Sequence, residues 1–164
     1  NASTEELAHG ADLDVDTALA LAALLELGTR TQKPPPPALA RIQGPADVAA
    51  LTAPHMIHLP RERMLLLLLD QGHRVRSTAV VAEGWREGLH VDPREVFRPA
   101  LAARASALVL VHNHPSGDPT PSRADVELTR RIADAADLLG FRLVDHVVVA
   151  HGGHACVPRG GGNA

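Results

Sequence analysis

Met64 to Leu69 is a run of six apolar residues, Met-Leu-Leu-Leu-Leu-Leu, closed on one side by Pro60 and on the other by the turn Asp70-Gln71-Gly72-His73. Leucine favours helices, yet a segment this short between two chain breakers fits a strand better. A strand apolar on both faces must be covered on both faces. Such a strand demands a layered α/β arrangement. A second run, Leu108 to Val111 within Ser106–Val111, has the same character. Arg74 to Ala82 supplies a return strand for the first run, with Val75 and Val80-Val81 as its apolar part. The remaining segments alternate helix and strand. A helix begins near Pro45. Asp92-Pro93-Arg94-Glu95 opens another with Asp at N-cap, Pro at N1 and Glu at N3; it packs Val96, Phe97, Ala100 and Leu101, and Pro99 inside it predicts a kink or a separate first turn. Ser122 to Leu139 forms a long helix whose apolar side is Leu128, Ile132, Ala135 and Leu139, stopped by Gly140. Phe141 to Ala150 is a further strand, and the glycine-rich segment after it reads as a frayed tail. The predicted fold class is α/β, a mixed β-sheet flanked by helices.

Four prolines, Pro34 to Pro37, divide the chain. They cannot be helical and predict an extended, semi-rigid linker over 32–40. Before them, residues 1–31 carry a small helical hairpin, with Ser3 or Thr4 capping a first helix and a second beginning near Asp16, its apolar side formed by Ala18, Leu21, Ala22 and Leu25. The main domain spans 41–158, with a flexible tail at 159–164.

Chemistry concentrates between His112 and Asp125, His-Asn-His-Pro-Ser-Gly-Asp-Pro-Thr-Pro-Ser-Arg-Ala-Asp. Alternation along a strand points His112 and His114 to one side and Asn113 to the other. Pro115 ends the strand, and Gly117, Asp118, Pro119 and Pro121 form a loop that returns Asp125, or Asp118, to the imidazoles. Two histidines and one carboxylate are a ligand set for a catalytic zinc that keeps a position open for water. Ser122 and Asp125 are at the same time a capping box. With a single cysteine, Cys156, a thiolate-rich structural site and an intramolecular disulfide are both excluded, and a reducing, cytoplasmic setting is expected. His151-Gly-Gly-His154-Ala-Cys156 lacks the rigidity to preorganise a second metal site. His146, inside a strand, reads as a structural residue or one standing behind the ligands. Arg123, Arg130 and Arg131 read as a solvated helix face.

The totals narrow the partners. Aromatic residues are only 2% of the chain, so stacking platforms for single-stranded nucleic acid are nearly absent, and a net charge of -3 gives no global attraction to polyanions. No apolar run approaches the roughly 18–20 residues that span a bilayer, so no membrane partner is expected, and no secretory leader is read.

Glu62 followed by His112-x-His114, seven residues and Ser122-x-x-Asp125 resembles the JAMM signature of the JAB/MPN metalloprotease fold, which has a cytidine-deaminase-like architecture. More narrowly, His112 to Ser122, with Asp92-Pro93-Arg94-Glu95 before it and Leu143-Val144-Asp145-His146 after it, resembles the RadC family from about Arg41 to Val149. Glu5-Glu6-Leu7 and Leu24 to Gly28 are similar to the end of that family's helix-hairpin-helix module, so residues 1–31 are expected to be a remnant of it. The resemblance implies that His112, His114 and Asp125 hold one zinc per chain. It implies Glu62 as general base and Ser122 as the residue that polarises the scissile carbonyl or steadies its oxyanion. Without it, Glu62 would read as a solvated acid between Arg61 and Arg63. The implied activity is hydrolysis of a peptide or isopeptide bond in a protein substrate, ubiquitin-like proteins included. The rivals are a DNA-repair-associated scaffold and a metal-dependent nuclease. DNA is a partner that the charge does not support: the hairpin turn Gly10 to Asp16 carries three aspartates where phosphate would need amides. Gly84-Trp85 departs from the family's usual Gly-Thr, as does Pro99.

Overall fold

The computed structural model describes residues 40–84 and 91–159, together with residues 14, 16, 17 and 20. The chain divides into two compact units, Asn1–Pro35 and Pro36–Ala164. In the first, Asp16, Thr17 and Ala20 are helical, and the Asp14 carboxylate accepts hydrogen bonds from the Thr17 amide at 3.0 Å and its hydroxyl at 2.7 Å. This acceptance caps the helix two residues before Asp16. The rest of the expected hairpin, the polyproline segment, Trp85 to His90 and the last five residues lie outside the described residues.

The second unit runs α1 (Pro45–Met56), β1 (Arg63–Leu69), β2 (Val75–Glu83), α2 (Pro93–Ala102), β3 (Ala107–Asn113), α3 (Arg123–Leu138), β4 (Arg142–Ala150) and β5 (Gly153–Cys156). The strands form one sheet in the order β2-β1-β3-β4-β5. β3 and β4 are parallel, joined through α3, while the other neighbours are antiparallel. The mixed α/β sheet expected from the sequence is therefore present. The apolar runs take its centre, because only the middle of a doubly covered sheet hides both faces of a strand.

Strand parity assigns the two cores. Met64, Leu66, Leu68, Leu108 and Leu110 face α2 and α3 with Val96, Phe97, Leu128, Ile132 and Ala136. Leu67, Leu69, Val109, Val111, Val147 and Val149 face α1 with Val48, Ala49 and Met56. Truncating any one of the fully buried leucines to Ala costs about 2–5 kcal/mol.

Three local expectations need correction. α2 is one continuous helix through Pro99, with no separate first turn, and Val96, Phe97 and Ala100 are buried below it. Leu101 is 60% exposed, because it lies about 100° around the helix from Ala100 and off the buried stripe. In α3 the stripe is Asp125, Leu128, Thr129, Ile132 and Ala136; Leu139 is 50% exposed, since it is the C-cap at φ -90°, ψ 1°, where helical spacing no longer applies. Finally, the glycine-rich end is not a frayed tail up to Cys156. His151 and Gly152 turn the chain, and β5, opening on Gly153 at φ +123°, pairs back along β4 with Val157 buried behind it. A two-residue loop containing Gly between pairable segments is a hairpin signal.

Candidate metal centre

The buried stripe of α3 carries two polar residues, Asp125 and Thr129, which lie against the end of β3 and its neighbour β4. His112 pairs with Met64 of β1 and Val148 of β4, so it has sheet on both sides and is fully buried. His114 lies one pleat further on and is half-buried. The loop back is braced at each step. Gly117 adopts φ +87°, the Asp118 carboxylate accepts from the Thr120 amide at 2.8 Å, and Ser122 caps α3. Gly152 donates its amide to the Gly117 carbonyl at 2.9 Å, which docks the loop on the β4–β5 turn.

The result brings one ligand atom each from His112, His114 and Asp125 within 4.8 Å of one another, the only such group of three among the described residues. The two imidazole Nε2 atoms are 3.0 Å apart. Asp125 Oδ1 is 3.1 Å from His112 Nε2, and Oδ2 is 3.6 Å from His114 Nε2. Asp125 divides its oxygens: Oδ2 accepts from the Ser122 amide and hydroxyl, each at 2.7 Å, while Oδ1 faces His112. Capping and ligation are thereby compatible. Asp118 is not the returning carboxylate, since its side chain is spent on the turn. Its backbone carbonyl instead accepts from His114 Nδ1 at 2.9 Å.

The hydrogen bonds fix which nitrogens carry protons. The Thr129 hydroxyl donates to the Asp125 carbonyl at 2.6 Å, so its oxygen receives the proton on His146 Nδ1, also at 2.6 Å. His146 Nε2 is then the acceptor for His112 Nδ1–H at 2.9 Å. His112 Nε2 is left with its lone pair exposed to the site. A carbonyl can only accept, so His114 also carries its proton on Nδ1 and turns the Nε2 lone pair inward. Two lone pairs and a carboxylate facing one another at these distances call for a cation between them. The donor set therefore fits a divalent metal with nitrogen and oxygen ligands.

The electrostatics agree. Burial raises the Asp125 carboxyl, but positive charge on the His112 side, where the inward lone pairs await a cation, and the two bonds from Ser122 outweigh it and hold the group well below the usual carboxylate range. Burial, reinforced by positive charge at the cluster in front of it, pushes His146 down to about 3, so it stands neutral behind His112. Cys156 is pushed up to about 11 by burial and by Asp145, to which its thiol donates at 3.4 Å, and is no nucleophile.

Glu62 and Ser122 line the same cleft of about 260 Å³ with His114, Ser116 and Asp125. Glu62 shares its parity with Met64, which faces α2 and α3. Sequence reasoning placed His146 behind the ligands but missed Thr129, Asn113 and Gly152. Arg131 is not merely solvated, because it donates to the Val91 carbonyl at 3.0 Å, whereas Arg123 pairs with Glu127 in solvent.

A family model described as a RadC-like JAB domain matches residues 42–160. A UPF0758 protein of Caldanaerobacter subterraneus subsp. tengcongensis is 37% identical over 152 residues, covering 93% of this chain and 65% of that protein. A UPF0758 protein of Chloroflexus aurantiacus is 37% identical over 148 residues, covering 90% and 65%. One from Symbiobacterium thermophilum is 42% identical over 132 residues, covering 79% and 55%. The chain thus spans about two thirds or less of the length of these curated relatives. No helix among the described residues is long and apolar enough to cross a membrane. Across residues 42–160 this chain belongs to the RadC family and carries its JAB domain.

Proposed function

We propose that this chain is a zinc-dependent hydrolase of the JAMM type, cleaving a peptide or isopeptide bond in a protein substrate. The observation that supports it most is the pair of inward lone pairs on His112 and His114 facing Asp125, with the outward nitrogens already engaged. Zinc held by these three residues would act as a Lewis acid, bringing the pKa of water toward about 7. Glu62 would serve as the base at this site, accepting a proton on its carboxylate and returning it to the leaving amine. The Ser122 hydroxyl, now donating to Asp125 Oδ2 and capping the Asp125 amide, would turn from them to donate to the scissile carbonyl oxygen. The Ser122 amide keeps its hold on Asp125 meanwhile.

The test combines metal analysis with a hydrolysis panel of ubiquitin-like fusions and plasmid DNA. About one zinc per chain is expected, lost in His112→Ala. Glu62→Gln is expected to retain zinc while losing about 10²–10⁴-fold in peptide-bond hydrolysis, the usual contribution of a general base. Hydrolysis undiminished in Glu62→Gln, on every substrate that the parent protein cleaves, would overturn the reading. Metal-dependent nicking of plasmid with no cleavage of fusions would transfer the site to phosphodiesters.

A further inference from the structure

Glu62 sits just outside β1, in a segment that the regular ladder with β3 no longer reaches. Backbone pairing between these strands ends at Met64–His112. Beyond it, the fully buried side chain of Asn113 takes over. Its Oδ1 accepts from the Arg63 amide at 2.8 Å, and its Nδ2 donates to the Arg61 carbonyl at 3.1 Å. One carboxamide thus makes, to residues 61 and 63, the acceptor and donor pair that a strand's own peptide groups would make. On the opposite side, the Glu62 carbonyl accepts from the Gly84 amide at 2.7 Å. The residue between the two clamped positions is Glu62.

The geometry points to Asn113 as the positioning residue for the general base. Its side chain faces away from the ligand set and does not line the cleft; it acts by fixing the backbone on both sides of Glu62 and so the direction in which that carboxylate leaves the strand. Residue type matters here. Aspartate can accept from Arg63 but, ionised, repels the Arg61 carbonyl, and alanine can do neither. A placement error of about 1 Å in a catalytic group costs on the order of 10²-fold in rate, so a residue remote from the metal has a large effect if it governs the base. Alternation also explains the economy of the motif: His112 and His114 face the metal side, and the residue between them faces away and holds Glu62.

This inference rests on the hydrolase reading, and the experiment separates the two. Asn113→Ala and Asn113→Asp are compared with the parent for amide hydrogen exchange in the metal-free protein, zinc affinity, kcat and KM. In Asn113→Ala, the Arg63 amide is expected to exchange at least tenfold faster while Leu66 to Leu68 stay protected. kcat is expected to fall at least tenfold, with KM and zinc affinity within about threefold of the parent. Asn113→Asp is expected to fall between the parent and Asn113→Ala in kcat, because it keeps the acceptor for Arg63. Unchanged Arg63 exchange in Asn113→Ala overturns the clamp whatever the activity does. Loss of zinc in parallel with kcat also overturns it, since Asn113 would then serve the metal loop rather than the base. Undiminished activity in Glu62→Gln overturns the hydrolase reading instead, and the exchange result stands apart from it.

Discussion

Replacing Thr129 with Val tests the proton arrangement behind the metal ligands. The two side chains have nearly the same shape, so the substitution removes a hydroxyl without opening a large cavity. Thr129 is fully buried and His146 is 1% exposed, so water cannot step in for the lost group. His146 Nδ1–H would be left without an acceptor, at a cost of about 1–3 kcal/mol for a buried unsatisfied donor. At roughly 3–6 °C per kcal/mol for a domain of this size, a loss near 2 kcal/mol lowers Tm by about 6–12 °C. The alternative is a tautomer change in His146. Its Nε2 would then carry the proton and face the His112 Nδ1 proton at 2.9 Å, driving the His112 proton to Nε2, where ligation needs the lone pair. Either route is expected to weaken binding of the proposed zinc, by about 10–100-fold if Thr129 acts as groups hydrogen-bonded behind metal ligands do. Calorimetry of the metal-free protein and a competition titration against a chromophoric chelator measure the two effects. Thr129→Ser, which keeps the hydroxyl, should retain most of the affinity. A Val variant that melts and binds zinc like the parent would refute the assigned protons.

Two further perturbations address the loop and the pH response. A Cβ on Gly152 would sit 2.8 Å from the Gly117 carbonyl oxygen, a backbone atom that can yield only if the metal loop moves. Gly152→Ala is therefore expected to cost about 1–3 kcal/mol by urea denaturation and to weaken zinc binding, whereas Gly44→Ala, with open space around it, should leave affinity unchanged. In the metal-free protein, His146 is near pKa 3 when folded and near 6.5 when unfolded, so the unfolded chain binds more protons between those values. Stability should rise with pH from about 3 to 6.5 and then level off, a change on the order of a few kcal/mol. Asp125, whose folded pKa is depressed, adds stability above its unfolded pKa that disappears as pH falls further. Denaturation midpoints across pH 4–7 that stay flat would contradict the buried neutral His146.

What could be read from the sequence was what repeats or caps locally. The two central strands announce themselves by apolar runs that no amphipathic helix would tolerate. Ser122 and Asp125 form a helix start that is visible in four residues, and the pleat explains why His112 and His114 converge while Asn113 does not. Glu62 was nominated only through the family resemblance, because 50 residues separate it from His112 and the β1–β3 register alone brings them together. The same limit hid the relay behind the ligands. His146 reaches His112 through the parallel pairing of β3 with β4, and Thr129 reaches His146 through the packing of α3 on that pair. β5 was lost for a different reason. A glycine-rich segment reads locally as fraying, whereas here His151-Gly152 forms a turn between segments that pair.

The parity of one strand pair ties these parts together. Met64 opposite His112 sets a phase in which even-numbered residues of both strands look toward α3. Glu62 inherits that phase from Met64, and His114 inherits it from His112. A slip of one residue between β1 and β3 would send Glu62 to the α1 side and leave the imidazoles without a base. The apolar content makes that slip costly, since Leu66 and Leu68 would have to exchange faces with Leu67 and Leu69, into cores packed for other shapes. Asn113 then secures the last step, where the hydrophobic register has run out and only a side chain remains to continue the pairing. The leucine run and the polar motif are thus parts of one device. The first holds the register, and the second places the proposed base and the candidate ligands at its open end.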